Sequence, residues 1–179
     1  MDVTTEYQDK ARDIAAMFRD SFTVSEGPEA GQQIAALVAE MLGTVSAQDM
    51  HVFSAMEGAE VRASILFTRM RYPEDTRTVF ILSPVAVAPD QQGKGVGQRL
   101  ITHGLAALRE SGVDIVLTYG DIAFYSKVGF TQITTEDAQP PLPLQHPHGW
   151  LGQALADTGF APLQGPSECV PPLGDPDYW

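Results

Sequence analysis

Cysteine is almost missing from this 179-residue chain: Cys169 is the only one, so no intrachain disulfide braces the fold. Basic residues are scarce as well. Eleven Lys and Arg stand against 23 Asp and Glu, and the resulting net charge of −12 argues against a broad phosphate-tracking surface for DNA or RNA. No apolar run approaches the ~20 residues that span a bilayer. The first residues, MDVTTEYQDKARD, hold neither a basic n-region nor an apolar h-region. These shortages predict a soluble, cytoplasmic protein of a reducing compartment, with neither nucleic acid nor membrane as partner. No internal repeat is present, which argues against a solenoid or a propeller.

What is present is a 44% hydrophobic composition, enough for one substantial core. Ile14, Met17 and Phe18 share one face at helical spacing and predict a first helix ending before Ser25. Ile34, Leu37, Val38, Met41 and Leu42 predict a second, with Gly43 as its C-terminal cap. Residues 51–72 read as a hairpin turning at Glu57-Gly58, its second strand ending at Arg69 and Arg71. RTVFILSPVAV is the nearly continuous apolar run of a strand covered on both faces, and Pro84, unable to donate a ladder hydrogen bond, marks a bulge or splay in it. Val96, Leu100, Ile101, Leu105 and Leu108 form the stripe of a third helix, and VDIVLTY is a further buried strand. A short helical piece, DIAFYSKVGF, precedes a Pro-rich loop between two late strands. Residues 128–179 contain no Lys or Arg, and the last 19 lack a period, so that they read as an extended wrap or as a disordered tail.

Between the third strand and the third helix lies SPVAVAPDQQGKGVGQRLI. A strand that delivers a glycine-rich turn onto a helix N-terminus gathers backbone N–H groups and the positive end of the helix dipole into one concavity, which suits a phosphate or pyrophosphate. Gly93, Gly95 and Gly97 permit close approach and positive φ, and Lys94 and Arg99 add positive charge. A plain connecting turn is the competing reading on glycine content alone. Neither the Walker loop nor the dinucleotide fingerprint fits, since the latter needs glycine where Gln98 stands. What does occur is Gln92-x-x-Gly95-x-Gly97, followed downstream by FYSKVGF. Together these resemble the acyl-CoA pyrophosphate motif and the FYxKxGF motif of the GNAT superfamily of N-acetyltransferases, and the order of elements over residues 5–135 agrees.

The resemblance implies an α/β (α+β) fold: a mixed, mostly antiparallel twisted sheet with a splayed central strand, flanked by about four helices. It implies a domain over residues 1–160 and leaves 161–179 as a Pro-rich extended tail. By the same resemblance the cosubstrate is acetyl-CoA, its pyrophosphate held by the backbone amides of Gln92, Gly93, Lys94, Gly95, Val96, Gly97 and Gln98, and its pantetheine arm paired with Val85, Ala86 and Val87. Direct transfer to an amine acceptor needs an oxyanion partner, for which an N–H near Val87 is suited, and an acid for the departing thiolate, the position of Tyr125. An aromatic packing role is the alternative for Tyr125.

The departures from the family pattern are specific. Thr118 stands where many relatives carry an Asn that contacts the pantetheine, and the central strand lacks a carboxylate base. Ser83 can at most position a water, while Glu57, Glu60 and His51 read mainly as solvated hairpin residues. The base therefore stays unassigned. His103, His146 and His148 lack metal-ligand spacing, so no metal is expected. Cys169 has no His pairing that would activate it. The acidic surface slightly favours a small-molecule amine over a protein amine, and Trp150 either lines the acceptor site or belongs to the core. A non-catalytic acyl-CoA-binding or interaction module on the same fold is the alternative function.

Overall fold

The computed structural model describes residues 1–179. Its strands are β1 (Asp2–Thr4), β2 (Met50–Glu57), β3 (Glu60–Met70), β4 (Val79–Val87), β5 (Ile115–Tyr119), β6 (Thr131–Gln132) and β7 (Trp150–Ala154); its helices are α1 (Ala11–Glu26), α2 (Pro28–Thr44), α3 (Val96–Glu110) and α4 (Ile122–Tyr125). The sheet order is β1-β2-β3-β4-β5-β7-β6. Three pairings, β1 with β2, β5 with β7 and β6 with β7, are antiparallel, while β4 and β5 are parallel. This is the mixed, mostly antiparallel fold with four helices that the sequence implies. No helix is long and apolar enough to cross a membrane.

The chain packs as two compact units, Met1–Phe67 with Pro84–His103, and Thr68–Ser83 with Gly104–Trp179. In the first, α1 packs against α2. Every residue of the predicted stripes, Ile14, Met17 and Phe18 on one helix and Ile34, Leu37, Val38, Met41 and Leu42 on the other, is buried. Pro28 starts α2 where its missing N–H is no loss. Gly43 is not the cap. It lies inside α2, which ends when Val45 turns extended and bonds its N–H to Met41 O. β2 and β3 form the expected hairpin, and its two buried serines, Ser54 and Ser64, satisfy each other at 2.9 Å. The short β1 escapes a reading by periodicity, because three mostly exposed residues carry no pattern.

In the second unit, Val79–Leu82 pair with Ile115–Thr118, and all five residues of β5 continue the sheet onto β7. The last residues are an ordered wrap. Trp179 is 2% exposed, donates its indole N–H to Leu173 O at 2.7 Å and meets Trp150 edge-on at 6.0 Å. Trp150 is fully buried and bonds Ala138 O, which makes it a core residue. Farther along, Arg77 clamps the wrap by donating to Ala161 O and Pro162 O while holding Asp75 in an ion pair at 2.7 Å, and Asp75 also accepts from Gln164 N.

The Arg77 hydrogen bond keeps the Asp75 carboxyl well below the usual carboxylate range. A depressed native pKa stabilises the fold above the unfolded value of about 3.9, and this stabilisation is lost as pH falls through the native value. Asp75→Asn should therefore lower the unfolding free energy by roughly 1–3 kcal/mol at pH 7. The gap from the parent protein should narrow in urea titrations run below about pH 4.

Candidate active site

The parallel ladder between β4 and β5 ends at the pair Leu82–Thr118. Pro84 follows two residues later and has no N–H for a ladder, so β4 runs on through Val87 without β5 alongside. Val85 and Val87 are partly exposed and Ala86 is buried, as the alternation of a strand requires. After Val87 the chain makes one turn at Pro89–Gln91 and then the glycine turn at residues 92–95, which opens directly into α3.

Gly93 and Gly95 both adopt φ of +75°, a conformation that a side chain strongly disfavours. Gln92, Gly93 and Lys94 are exposed. Gly97 differs from the expectation of positive φ: α3 has already begun at Val96, and Gly97 is helical and buried. Gln98 is partly exposed in the first turn of α3 and Val96 is buried. Two side-chain roles escape a reading of glycine spacing. Gln92 donates its amide to Val87 O at 3.1 Å and to Ser21 Oγ at 3.3 Å, tying the turn to the strand end and to α1. Arg99 folds back and donates to Lys94 O at 3.0 Å, which places its guanidinium beside the Cα of Gly95, where a Cβ would meet it at 3.1 Å. Lys94 is exposed.

In the second unit Tyr125 closes α4. Asp121 caps this short helix by accepting from Ala123 N at 2.9 Å, and Tyr125 N returns to Asp121 O at 3.0 Å. The tyrosine ring is wedged edge-on between Phe124 and Phe130, with centroids 5.0 and 5.7 Å away. The Cε2 edge of the ring lies against Gly120, where even a methyl group would come to 2.9 Å of Cε2. Burial of the hydroxyl pushes its pKa up, and a hydrogen bond with Thr118 opposes that shift. The phenol therefore keeps its proton at neutral pH. Thr118 is itself fully buried and donates to Leu82 O at 2.8 Å. Neither Asp121 nor Gly120 stands out in the sequence, although an Asp two residues before a helical Ala123 is a readable capping signal.

The other candidates sort by their surroundings. Glu57 and Glu60 are exposed and sit on Arg62 at the hairpin end. Burial lowers the pKa of His51 on β2, which keeps that imidazole neutral. Ser83 is partly exposed, and the His103 ring meets Phe53 edge-on. Burial raises the Cys169 thiol, the opposite of activation. His146 and His148, 6.0 Å apart, line a cavity of about 460 Å³ with Tyr119, Gly120, Asp121, Ile122 and Gly149. No group of three or more His, Cys, Asp or Glu is arranged to hold a metal ion.

The chain is similar to known proteins in sequence and in fold. An acetyltransferase (GNAT) domain is matched by residues 48–132. The uncharacterized N-acetyltransferase YjhQ of Escherichia coli K12 is 35% identical over 142 residues, which cover 76% of this chain and 77% of that protein. Among solved structures, the GNAT family N-acetyltransferase YhbS from Escherichia coli, in complex with CoA, superposes with a TM-score of 0.81 at 23% identity, over 97% of this chain and 91% of that one. A GNAT family acetyltransferase from Brucella melitensis in complex with acetyl-CoA does so with 0.65 at 23% identity, over 94% and 93%. These two likenesses show the fold, and the sequence relative shows descent: the chain belongs to the GNAT superfamily of acyl-CoA-dependent N-acetyltransferases.

Proposed function

We propose that the protein moves the acetyl group of acetyl-CoA directly to a primary amine, with a small-molecule amine as acceptor. The observation that carries this reading is the turn at residues 92–95, with two glycines at positive φ opening onto the start of a 15-residue helix. Exposed amides at a helix N-terminus are the backbone's own pyrophosphate site. In this reading the amides of Gln92 to Gln98 hold the pyrophosphate, and Val85, Ala86 and Val87 pair with the pantetheine arm. Likeness to proteins solved with CoA and with acetyl-CoA supports the choice of ligand.

The chemistry then balances as follows. The amine nitrogen attacks the thioester carbonyl carbon, the C–S bond breaks, and Tyr125 gives its phenolic proton to the sulfur. The proton released from the acceptor nitrogen returns to the phenolate through solvent, so that the products are the amide and free CoA thiol. A phenol whose pKa is raised by burial is protonated when this step begins. The cavity at the end of β5 supports a small acceptor: its volume of about 460 Å³ suits a compact molecule, and its wall residue Gly120 is the one on which the Tyr125 ring packs.

Three measurements test these assignments. Calorimetry with acetyl-CoA should show much weaker binding for Gly95→Val, which is strained at positive φ and crowds Arg99, than for Lys94→Ala, which removes one exposed charge. Equal losses would mean that side-chain charge holds the phosphates. With spermidine, tyramine and 2-phenylethylamine as acceptors, thiol release should fall about 10²- to 10⁴-fold in Tyr125→Phe while acetyl-CoA affinity stays nearly unchanged. Near-normal single-turnover rates in a folded variant would take Tyr125 out of the mechanism. Binding of acetyl-CoA without release to any amine or to water would favour a non-catalytic binding module. Ile122→Trp, filling the cavity, should raise KM for the amine and spare acetyl-CoA binding; an unchanged KM would place the acceptor elsewhere.

A further inference from the structure

Residues 145–149 read as a mobile stretch by composition, since an exposed loop around a proline ordinarily shifts at little cost. In the structure its backbone is pinned at three points. Gln145 N donates to Trp179 O at 2.9 Å, His146 N donates to the Tyr119 hydroxyl oxygen at 2.6 Å, and Gly149 O accepts from Gly120 N at 2.9 Å. The Gln145 side chain adds a bond to Pro176 O at 3.3 Å. The pins are themselves held. Tyr119 ends β5 opposite Trp150 in the β5–β7 ladder, and its ring stacks on Trp179 at 6.5 Å with 14° between the planes. Trp179, 2% exposed, is fixed in turn by its indole bond to Leu173 O. A phenol has one proton and two lone pairs. Here the oxygen takes the His146 N–H, and the proton points to Trp179 O across a long 3.5 Å contact, so one hydroxyl spans from loop to wrap. Between the pins stand His146 and His148, both exposed, their rings 6.0 Å apart on the wall of the cavity of about 460 Å³ that Asp121 and Ile122 also line.

We propose that Tyr119 is a positioning residue for the acceptor amine: its hydroxyl, backed by Trp179, holds the loop that carries His146 and His148 in place and so fixes the shape of the acceptor cavity. This role rests on the acetyl-transfer reading, with the amine in that cavity, and it gives the wrap around Trp179 a part in acceptor choice. A wall that is ordered before the amine arrives spares the amine the entropy of ordering it. A hydrogen bond that is structural only and one that positions the wall differ in what their loss changes. The first alters the stability of the fold. The second alters the amine's binding, and because the bond lies away from the glycine turn along the chain and in the other compact unit, its loss should appear in KM for the amine and not in the affinity for acetyl-CoA.

The test joins hydrogen exchange to kinetics on the full chain. Tyr119→Phe keeps the ring and its stack and removes only the hydroxyl. By mass spectrometry without ligand, the amides of Gln145 and His146 should be protected in the parent protein and exchange about 3- to 10-fold faster in the variant. With acetyl-CoA and whichever of spermidine, tyramine and 2-phenylethylamine is accepted, KM for the amine should rise about 3- to 10-fold, while kcat and acetyl-CoA affinity stay within about 2-fold. Trp179→Phe, which loses the indole bond to Leu173 O, should raise the same KM, and the double variant should show less than the product of the two effects, because both residues brace one loop. If Tyr119→Phe does not fold, Gln145→Ala, which cuts only the side-chain bond to Pro176 O, takes its place with the same readouts. An unchanged KM in the folded variant overturns the positioning role, whatever the exchange rate, and leaves acetyl transfer standing. A raised KM without faster exchange means that the hydroxyl touches the amine itself, and an equal loss of acetyl-CoA affinity means that the effect reaches beyond the acceptor wall; either result overturns the role too. Thiol release from the parent protein to none of the three amines overturns the acceptor reading and this role with it.

Discussion

The parting of β4 from β5 after the pair Leu82–Thr118 is the constraint on which the rest of this protein turns. A parallel ladder has no reason to stop while both strands continue, and here two features end it. Pro84 withdraws an N–H from β4, and β5 finishes at Tyr119, after which Gly120 N turns to Gly149 O. Along the chain, each strand then leads into one of the segments described above. On one strand follow Val85 to Val87 and then the glycine turn; on the other follow Gly120, the Asp121 cap and Tyr125.

Much of this was legible from residue type and spacing because the signals are local. The buried stripes of α1 and α2 follow from 3.6-residue periodicity, the glycine turn at residues 92–95 from glycine next to a helix stripe, and the splay from a proline inside an apolar run. What stayed hidden depends on partners distant in sequence. Gln92 is bonded to Ser21, 71 residues away, and Thr118 to Leu82, 36 residues away. No period announces either. Gly43 and Gly97 suggest special backbone conformations because they are glycines, yet both sit in helical backbone without a positive φ. The wrap of the last residues was open between order and disorder because its stabilising bonds run from Arg77 and Asp75 to backbone groups, which composition does not encode.

The electrostatics of the site also depart from the simplest expectation. In a chain of net charge −12, the two basic residues at the turn look like phosphate ligands. Arg99 instead spends its guanidinium on Lys94 O, bracing the loop from within. An arginine that rigidifies a turn preserves the pattern of amides even when no anion is present, and so lowers the ordering entropy that a ligand must overcome.

The released segment of β4 has a further consequence, for solubility. A strand that leaves its neighbour offers N–H and C=O groups to any extended chain, and the mostly apolar end of β4 after Leu82 is of the kind that propagates cross-strand association. Pro84 sits inside that segment. Its missing N–H interrupts the row of donors along which a second polypeptide would zip, so that this one imino acid is a gatekeeper against aggregation.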